Sequence, residues 1–314
     1  MATSPHLPEP VAEPRYRGRF APSPTGPLHF GSLVAAVGSY FEARTRGGEW
    51  LVRMEDVDTP RTVPGAAASI LATLEAFGFE WDGPVLWQSQ RFAAYAAALE
   101  QLQAAGLVYG CACSRKEIAD SVRQVAVDGG LVYPGTCRAG LAAGRQPRAW
   151  RLRVGSGETA FVDRIQGRQV QQLERDVGDF VLRRADGLFA YQLAVVVDDQ
   201  FQGITDIVRG ADLLASTPRQ IWLQHCLGAA TPDYAHLPVV SNAAGEKLSK
   251  QTLAPALDPR QAGRSLVQAL RFLGQAAPDE LLSAPLAEVW CWARENWSFA
   301  GIPRQLSIPL AIPG

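Results

Sequence analysis

Lysine is nearly missing from this sequence. Only Lys116, Lys247 and Lys250 stand among its 30 basic residues; the rest are arginine. That skew reads as a codon bias, and it makes the pair Lys247 and Lys250 stand out. No run of about 18 apolar residues occurs, so nothing predicts a membrane-spanning helix. The first residues, MATSPHLPEPVAEP, lack a basic start and an apolar core, which argues against a signal peptide and for a disordered, proline-rich lead-in over 1–15. Charge is nearly balanced at −1, unlike a protein that coats nucleic acid nonspecifically, although a local basic groove stays open. The five cysteines are an odd set in a long chain and do not suggest a disulfide framework; a reducing, cytoplasmic setting is expected. There is no P-loop pattern, hence no Walker-type nucleotide site, and no internal repeat.

What is present centres on Arg19 to Ser32, RFAPSPTGPLHFGS. Tyr16 to Phe20 ahead of it reads as a strand. Leu33, Val34, Val37, Tyr40 and Phe41 behind it recur at helical spacing, and Arg46, Gly47 and Gly48 close that run. A strand, a rigid turn and a helix start form a natural anion site, because unpaired N–H groups and the helix dipole converge there. Pro22, Pro24 and Pro27 fix the backbone, while Gly26 and Gly31 allow a ligand close approach. A proline-rich βα turn with no ligand would look the same so far.

The chain is long enough, at 314 residues and 47% hydrophobic, for a large core and two domains. Glu49 to Glu55 reads as a second strand, running on into Asp56 to Asp58. A turn at Thr59 to Pro64 leads to a helix over Gly65 to Phe77. Glu80 to Trp87 reads as a loop, and Ser89 as the N-cap of a helix through Gln103. Strand and helix alternate as in a parallel α/β sheet, whose ligands bind at the carboxyl ends of strands. From Val108 to Gly187 that alternation gives way to short runs (Ala149 to Val154, Thr159 to Ile165, Arg168 to Leu173, Asp179 to Arg183), expected to be an inserted antiparallel subdomain. The α/β texture returns at Phe189 to Val197 and Thr205 to Arg209, with a helix ending at Leu227 before Gly228 and a strand over His236 to Val240. Ser265 to Phe272 and Asp279 to Arg294 read as helices of a short tail that packs on the sheet or forms an appendage. The expected division is 16–107 and 188–251 as two halves of one catalytic domain, 108–187 as the insert and 252–314 as the tail.

Two further clusters could carry chemistry. Cys111, Cys113 and Cys137 supply thiols of the kind that holds tetrahedral zinc; buried small residues or a reactive pair are the other readings, and Tyr133 between them could equally be a core aromatic. Cys226 and Cys291 fall on helical faces and read as core. In Glu246 to Gln251, EKLSKQ, two ammonium groups flank a serine and could neutralise a polyphosphate, or simply be solvated.

Together these motifs resemble a known family. His29-Phe30-Gly31-Ser32 resembles the HIGH signature of class I aminoacyl-tRNA synthetases, and Lys247-Leu248-Ser249-Lys250-Gln251 their KMSKS loop. RFAPSPTG and RMEDVD resemble the glutamyl subgroup. Because only Thr252 to Gly314 follows the second signature, the chain is most similar to the truncated glutamyl-queuosine tRNA(Asp) synthetase family. The resemblance implies a Rossmann-like (HUP) parallel sheet with an inserted zinc-containing α+β subdomain and a short helical C-terminal region. It implies one structural zinc on Cys111, Cys113, Tyr133 and Cys137. The interval from Cys113 to Tyr133 is longer than usual in that family, with Ile118 to Gly130 as the insertion. Leu248 and Gln251 also depart from KMSKS, while both lysines remain.

The implied enzyme is an ATP-dependent ligase that produces AMP and pyrophosphate. Its expected catalytic residues are His29, Lys247 and Lys250, with ATP at Pro22, His29, Gly31, Ser32 and Lys250 and Mg²⁺ accompanying ATP. The resemblance places glutamate at Arg19, Phe20, Ala21, Pro22, Ser23, Glu55, Tyr191 and Arg209. The chemistry agrees: a guanidinium can grip a carboxylate in two hydrogen bonds, and an anionic Glu55 suits an ammonium. Asp206 and Asp212 are alternative partners for Arg209, and a core position is the alternative reading of Tyr191. The implied partner is the tRNA(Asp) anticodon stem-loop bearing queuosine, met by a monomer away from membranes. A conventional glutamyl-tRNA synthetase without its anticodon domain, and a non-catalytic zinc- and RNA-binding paralogue, are the alternatives.

Overall fold

The computed structural model describes residues 15–121, 126, 129–242 and 255–310. The lead-in through residue 14 and the whole Glu246–Gln251 loop, with Lys247 and Lys250, lie outside the described residues.

β1 (Arg17–Phe20), α1 (Phe30–Thr45) and β2 (Glu49–Met54) form the first βαβ unit, β1 pairing parallel to β2 with Arg19 opposite Leu51. α1 buries Leu33, Val34, Val37, Tyr40 and Phe41 together with Ala36, Gly38 and Ala43, more than one face. A helix apolar nearly all round must be covered on both sides. The sheet covers one side and the C-terminal tail the other. α2 (Ala66–Ala76) ends at Gly78, whose φ of +81° favours glycine and where a Cβ would stand 2.6 Å from Trp290 Nε1.

Two local expectations change here. Leu86–Trp87, within the expected loop, is a short strand β3 parallel to β2; two residues are too few to show a period. Ser89 does not cap α3 (Phe92–Ala104). Its N–H and Oγ donate instead to Asp56 Oδ1 and Oδ2, at 2.8 and 2.7 Å, and the helix starts after Arg91.

β4 (Val108–Cys111) and α4 (Arg115–Ser121) lead to β5 (Ala149–Leu152). The hairpin β6 (Glu158–Asp163) and β7 (Gly167–Gln172), then α5 (Leu173–Asp176) and β8 (Phe180–Arg183), complete this region. β4, β5 and β8 form an antiparallel sheet. The hairpin lies elsewhere. β6 runs parallel to β10 (Asp233–Leu237), with Asp163 opposite Tyr234, and so extends the parallel sheet.

α6 (Tyr191–Phe201), β9 (Asp206–Gly210) and α7 (Thr217–Leu227) precede β10, and β11 (Val239–Ser241) follows it. Gly228 closes α7 at φ +68°, the left-handed stop the sequence suggested. The second sheet runs β7-β6-β10-β9 and meets β1-β2-β3 at β1. There Thr205 N–H donates to Arg17 O at 3.0 Å, and Arg17 N–H to Thr205 Oγ1 at 2.8 Å.

The tail packs on the body. α8 (Ala262–Phe272) sits on α1, α9 (Leu286–Asn296) follows, and β12 (Ser307–Pro309) pairs parallel to β11. Trp290 lies 5.1–5.2 Å from the rings of Tyr40, Phe41 and Phe79 and donates to Phe77 O at 2.9 Å. The expected single helix over 279–294 is interrupted: Asp279–Leu282 is a short 3₁₀ turn, and α9 begins only after Pro285. Cys226 is half-buried and Cys291 exposed, because α9 turns Val289, Trp290 and Ala293 inward. Among the described residues no helix is long and apolar enough to cross a membrane.

Candidate active site

The turn from β1 into α1 ends at His29, the N-cap of α1, whose Nδ1 accepts from Ser32 N–H at 3.4 Å. No acidic residue occupies the first turn of α1, so the positive end of its dipole has no acidic side chain of its own there. Gly26 adopts φ +144°, which a side chain would disfavour. Pro22 O accepts from Glu55 N–H at 3.0 Å and Pro24 O from Val63 N–H at 2.9 Å, tying the turn to the end of β2 and to the segment that leads into α2. Ala256 bridges His29, and Leu257 N–H donates to Leu28 O at 2.9 Å. The chain leaving the lysine-bearing loop therefore returns directly to the histidine turn.

Beside this turn is a cavity of about 140 Å³ at the carboxyl ends of β1, β2 and β9. Arg19, Phe20, Ala21, Glu55, Tyr191 and Arg209, six of the eight residues expected at glutamate, line it together. Pro22 and Ser23 continue the chain past it without lining it, and Gly31 and Ser32 belong to the helix start.

Each charged group in the cavity arrives already paired. Arg19, buried, donates Nε and Nη2 to Asp199 Oδ1 and Oδ2 at 3.0 and 3.4 Å. Arg53, wholly buried, donates Nη1 to Asp199 Oδ1 at 2.8 Å and Nη2 to Glu55 Oε1 at 3.3 Å. Burial pushes the Glu55 carboxyl above its ordinary range while Arg53 and Arg19 pull it back. For Asp199 burial acts in the same sense, but the two arginines win and hold it below the usual carboxylate range. Arg209 donates Nε to His236 Nε2 at 3.0 Å, Nη2 to Thr217 Oγ1 at 2.8 Å and Nη1 to Tyr191 OH at 3.4 Å. Asp206, an alternative partner for Arg209, instead takes Arg164 at 3.3 Å and Thr205 at 2.7 Å. Three guanidiniums against Asp199 and Glu55 leave a positive surplus, suited to a small molecule with one ammonium and two carboxylates.

Sequence reading missed Asp199, Arg53, His236 and Thr217. The available signal was the polar pair Asp198-Asp199 inside the apolar run of α6, where unpaired acids would be costly.

The cysteines lie apart from this cavity. Sγ atoms of Cys111, Cys113 and Cys137 all fall within 4.8 Å of one another, and those of Cys113 and Cys137 are 3.5 Å apart. Tyr133 OH is 3.4 Å from Cys111 Sγ and 3.8 Å from Cys113 Sγ, and accepts from Cys137 N–H at 2.9 Å. Sulfurs on a tetrahedral zinc at about 2.3 Å would stand roughly 3.8 Å apart, so the donor set fits such an ion with little adjustment. Burial pushes the Cys113 thiol up to about 11. Cys137 is held below the ordinary thiol range: burial opposes this, but hydrogen bonds from Tyr133 and the Ala112 backbone prevail. Gly178 was not anticipated: it pairs with Tyr133 at φ +73°, and a Cβ there would lie 2.6 Å from Tyr133 O. Arg151 stacks over the Tyr133 ring at 3.8 Å.

A parallel sheet with a histidine-capped helix start beside a charged cavity fits the catalytic domain of a class I synthetase, and comparison with known proteins shows that family. The family model described as tRNA synthetases class I (E and Q), catalytic domain, matches residues 15–265. A relative from Dechloromonas aromatica named glutamyl-Q tRNA(Asp) synthetase is 74% identical over 295 residues, 94% of this chain and 98% of that one. One of the same name from Aromatoleum aromaticum is 63% identical over 94% of this chain and 93% of that one. The solved glutamate-tRNA synthetase of Elizabethkingia anophelis shares the fold, with a TM-score of 0.78 at 24% identity over 95% of this chain and 68% of that one. The chain belongs to the class I glutamyl- and glutaminyl-tRNA synthetase family and, within it, to the glutamyl-Q tRNA(Asp) synthetases.

Proposed function

We propose that this protein activates L-glutamate with ATP and transfers the glutamyl group to the queuosine wobble base of tRNA(Asp). The observation that carries this reading is the 74% identity along 98% of a relative bearing that name. In the first step a glutamate α-carboxylate oxygen attacks the α-phosphorus of ATP. The bond from that phosphorus to the β-bridging oxygen breaks and pyrophosphate leaves. In the second, a hydroxyl of the queuosine cyclopentenediol attacks the glutamyl carbonyl and AMP departs.

The cavity supports the amino-acid half. Arg19 and Arg209 face the two carboxylates and Glu55 the ammonium, with Tyr191, Phe20 and Ala21 around them and Pro22 and Ser23 next along the turn. Such positioning supplies much of the rate in phosphoryl-group chemistry. His29, Gly31 and Ser32 at the start of α1 bind the ATP phosphates, and Lys247 and Lys250 neutralise charge as it moves onto pyrophosphate. Mg²⁺ accompanies ATP. The halves 16–107 and 188–251 act as the catalytic body, and 108–187 as an insert whose β6–β7 hairpin joins the body's sheet. The tail 252–314 braces α1, and 1–15 is a lead-in ahead of the catalytic body. Cys111, Cys113, Tyr133 and Cys137 would hold one zinc, a structural ion that would cross-link the chain at those four residues. The protein works in the cytoplasm as a monomer.

Charging of purified tRNA(Asp) with and without queuosine decides the reading. Labelled glutamate should enter only the queuosine-bearing RNA, at the base. Equal charging of both, or charging of tRNA(Glu), would favour a conventional glutamyl-tRNA synthetase, and no glutamate-dependent pyrophosphate exchange would favour a non-catalytic paralogue. Metal analysis should find one zinc per chain and less in Cys137→Ser.

A further inference from the structure

A buried pair behind the cavity is not used by the reading above. His236 on β10 and Asp163 at the end of β6 both have side chains fully shielded from solvent, with His236 Nδ1 2.6 Å from Asp163 Oδ2. Arg209 Nε lies 3.0 Å from the other imidazole nitrogen, Nε2. A guanidinium has only donors, so Nε2 must accept. The imidazole proton is therefore on Nδ1, pointing at the Asp163 carboxylate. The tautomer follows from connectivity alone.

Asp163 is itself anchored. Its Oδ1 accepts from the backbone N–H groups of Ile165 at 3.0 Å, Gln166 at 2.8 Å and His236 at 3.2 Å. With one oxygen fixed, the other can only face the imidazole. Thr217 Oγ1, from α7, closes the group at 2.8 Å from Arg209 Nη2 and 3.2 Å from His236 Nε2. The Tyr234 ring stacks 6.1 Å from His236.

We propose that Asp163 and His236 are positioning residues: they hold Arg209 by its Nε so that Nη1 is turned to Tyr191 and the cavity. The inference rests on the reading that Arg209 grips a carboxylate of glutamate. Protonation of His236 would set an N–H against the Arg209 N–H and break the hold. Burial keeps its pKa down to about 4, with Asp163 and Asp212 pulling up and Arg209 pushing down, so the ring is neutral at physiological pH.

Glutamate-dependent ATP–pyrophosphate exchange on the full chain tests this. In Asp163→Asn the amide oxygen can keep the backbone hydrogen bonds, so the amide nitrogen meets Nδ1. The imidazole proton must then move to Nε2, against Arg209. The glutamate KM should rise about tenfold, with kcat and the ATP KM within about twofold, since an orientation loss of about 1.4 kcal/mol is a factor of ten. Imidazole nitrogen NMR should show Nδ1–H in the native protein down to pH 5.5 and Nε2–H in the variant. His236→Leu should raise the glutamate KM, and His236→Gln, which can present an amide oxygen to Arg209, should restore most of it. If Asp163→Asn does not fold, the native tautomer and the His236 pair still decide. A native Nε2–H tautomer, or a switched tautomer with an unchanged glutamate KM, would overturn the proposal. Arg209→Lys separates the two levels. If it raises the glutamate KM while the Asp163 and His236 variants do not, only the positioning falls; if it too leaves KM unchanged, the glutamate pocket itself is misread.

Discussion

The charged cavity and the cysteine cluster are both convergences of ligating side chains, yet they are built by opposite means. In the cavity, partners come from far apart in the chain. Arg19 meets Asp199 across 180 residues and Arg53 meets it across 146, and both pairs are shielded from water. The cluster is local: Cys111 to Cys137 belong to one stretch that starts at the end of β4, and apart from the Cys137 N–H bond to Tyr133 OH at 2.9 Å its side chains meet through weak sulfur contacts of 3.4–3.8 Å. The cavity is thus pre-paired by the assembled sheet, whereas the cluster brings together donors that gain little from one another. That difference separates a site whose geometry is ready before ligand arrives from one whose geometry a cation would complete.

The sharpest way to break this comparison is Asp199→Ala, which deprives two buried guanidiniums of their shared carboxylate. Urea unfolding should show a loss of about 3–5 kcal/mol, as for other broken buried pairs, along with loss of glutamate-dependent exchange. A loss below about 1 kcal/mol would mean the cavity is no more pre-paired than the cluster.

Acid should act on the same side next. The unfolded chain takes up a proton at His236 near pH 6.5, the folded chain only near pH 4. Between these values the unfolded state binds more protons, so this stability is complete above pH 6.5 and shrinks as pH falls toward 4. The loss should reach up to about 3 kcal/mol and be missing in His236→Gln, as denaturation between pH 7 and 4.5 would reveal.

On the cluster side, Gly178→Ala places a Cβ against the Tyr133 backbone at a positive φ. It should cost about 1–3 kcal/mol and, if the cluster holds zinc as proposed, lower zinc retention, while leaving the glutamate KM within about twofold. A matching rise in that KM would show the two regions to be coupled. Smallest is Arg151→Met, which removes the cation above Tyr133 at 3.8 Å and a hydrogen bond to Asp179 O at 2.8 Å. About 1 kcal/mol is expected in thermal unfolding.

How far the sequence could be read follows the same division. The βαβ start, the helix over Gly65 to Phe77 and the stop at Gly228 were legible because period and capping are local properties. So was the cysteine set, whose donors come from one stretch. Arg19, Glu55, Tyr191 and Arg209 were legible only through their resemblance to a family. Their supports were not: nothing near Arg19 points to Asp199, and nothing near Arg209 points to His236 or Asp163, because those contacts exist only once β6, β9 and β10 lie side by side. β3 was missed because two residues carry no period. The β6–β7 hairpin looked like the antiparallel strands around it, since alternation does not say which sheet a hairpin joins.

The central claim is that Arg209 belongs to a ready-made glutamate pocket that works before any RNA is bound. It is tested most directly by ATP–pyrophosphate exchange without tRNA, run against glutamate concentration on the native protein and on Arg209→Ala. The account predicts robust glutamate-dependent exchange in the native protein and a glutamate KM at least tenfold higher in the variant, with the ATP KM little changed. Exchange that needs tRNA, or an Arg209→Ala protein with an unaltered glutamate KM, would contradict it.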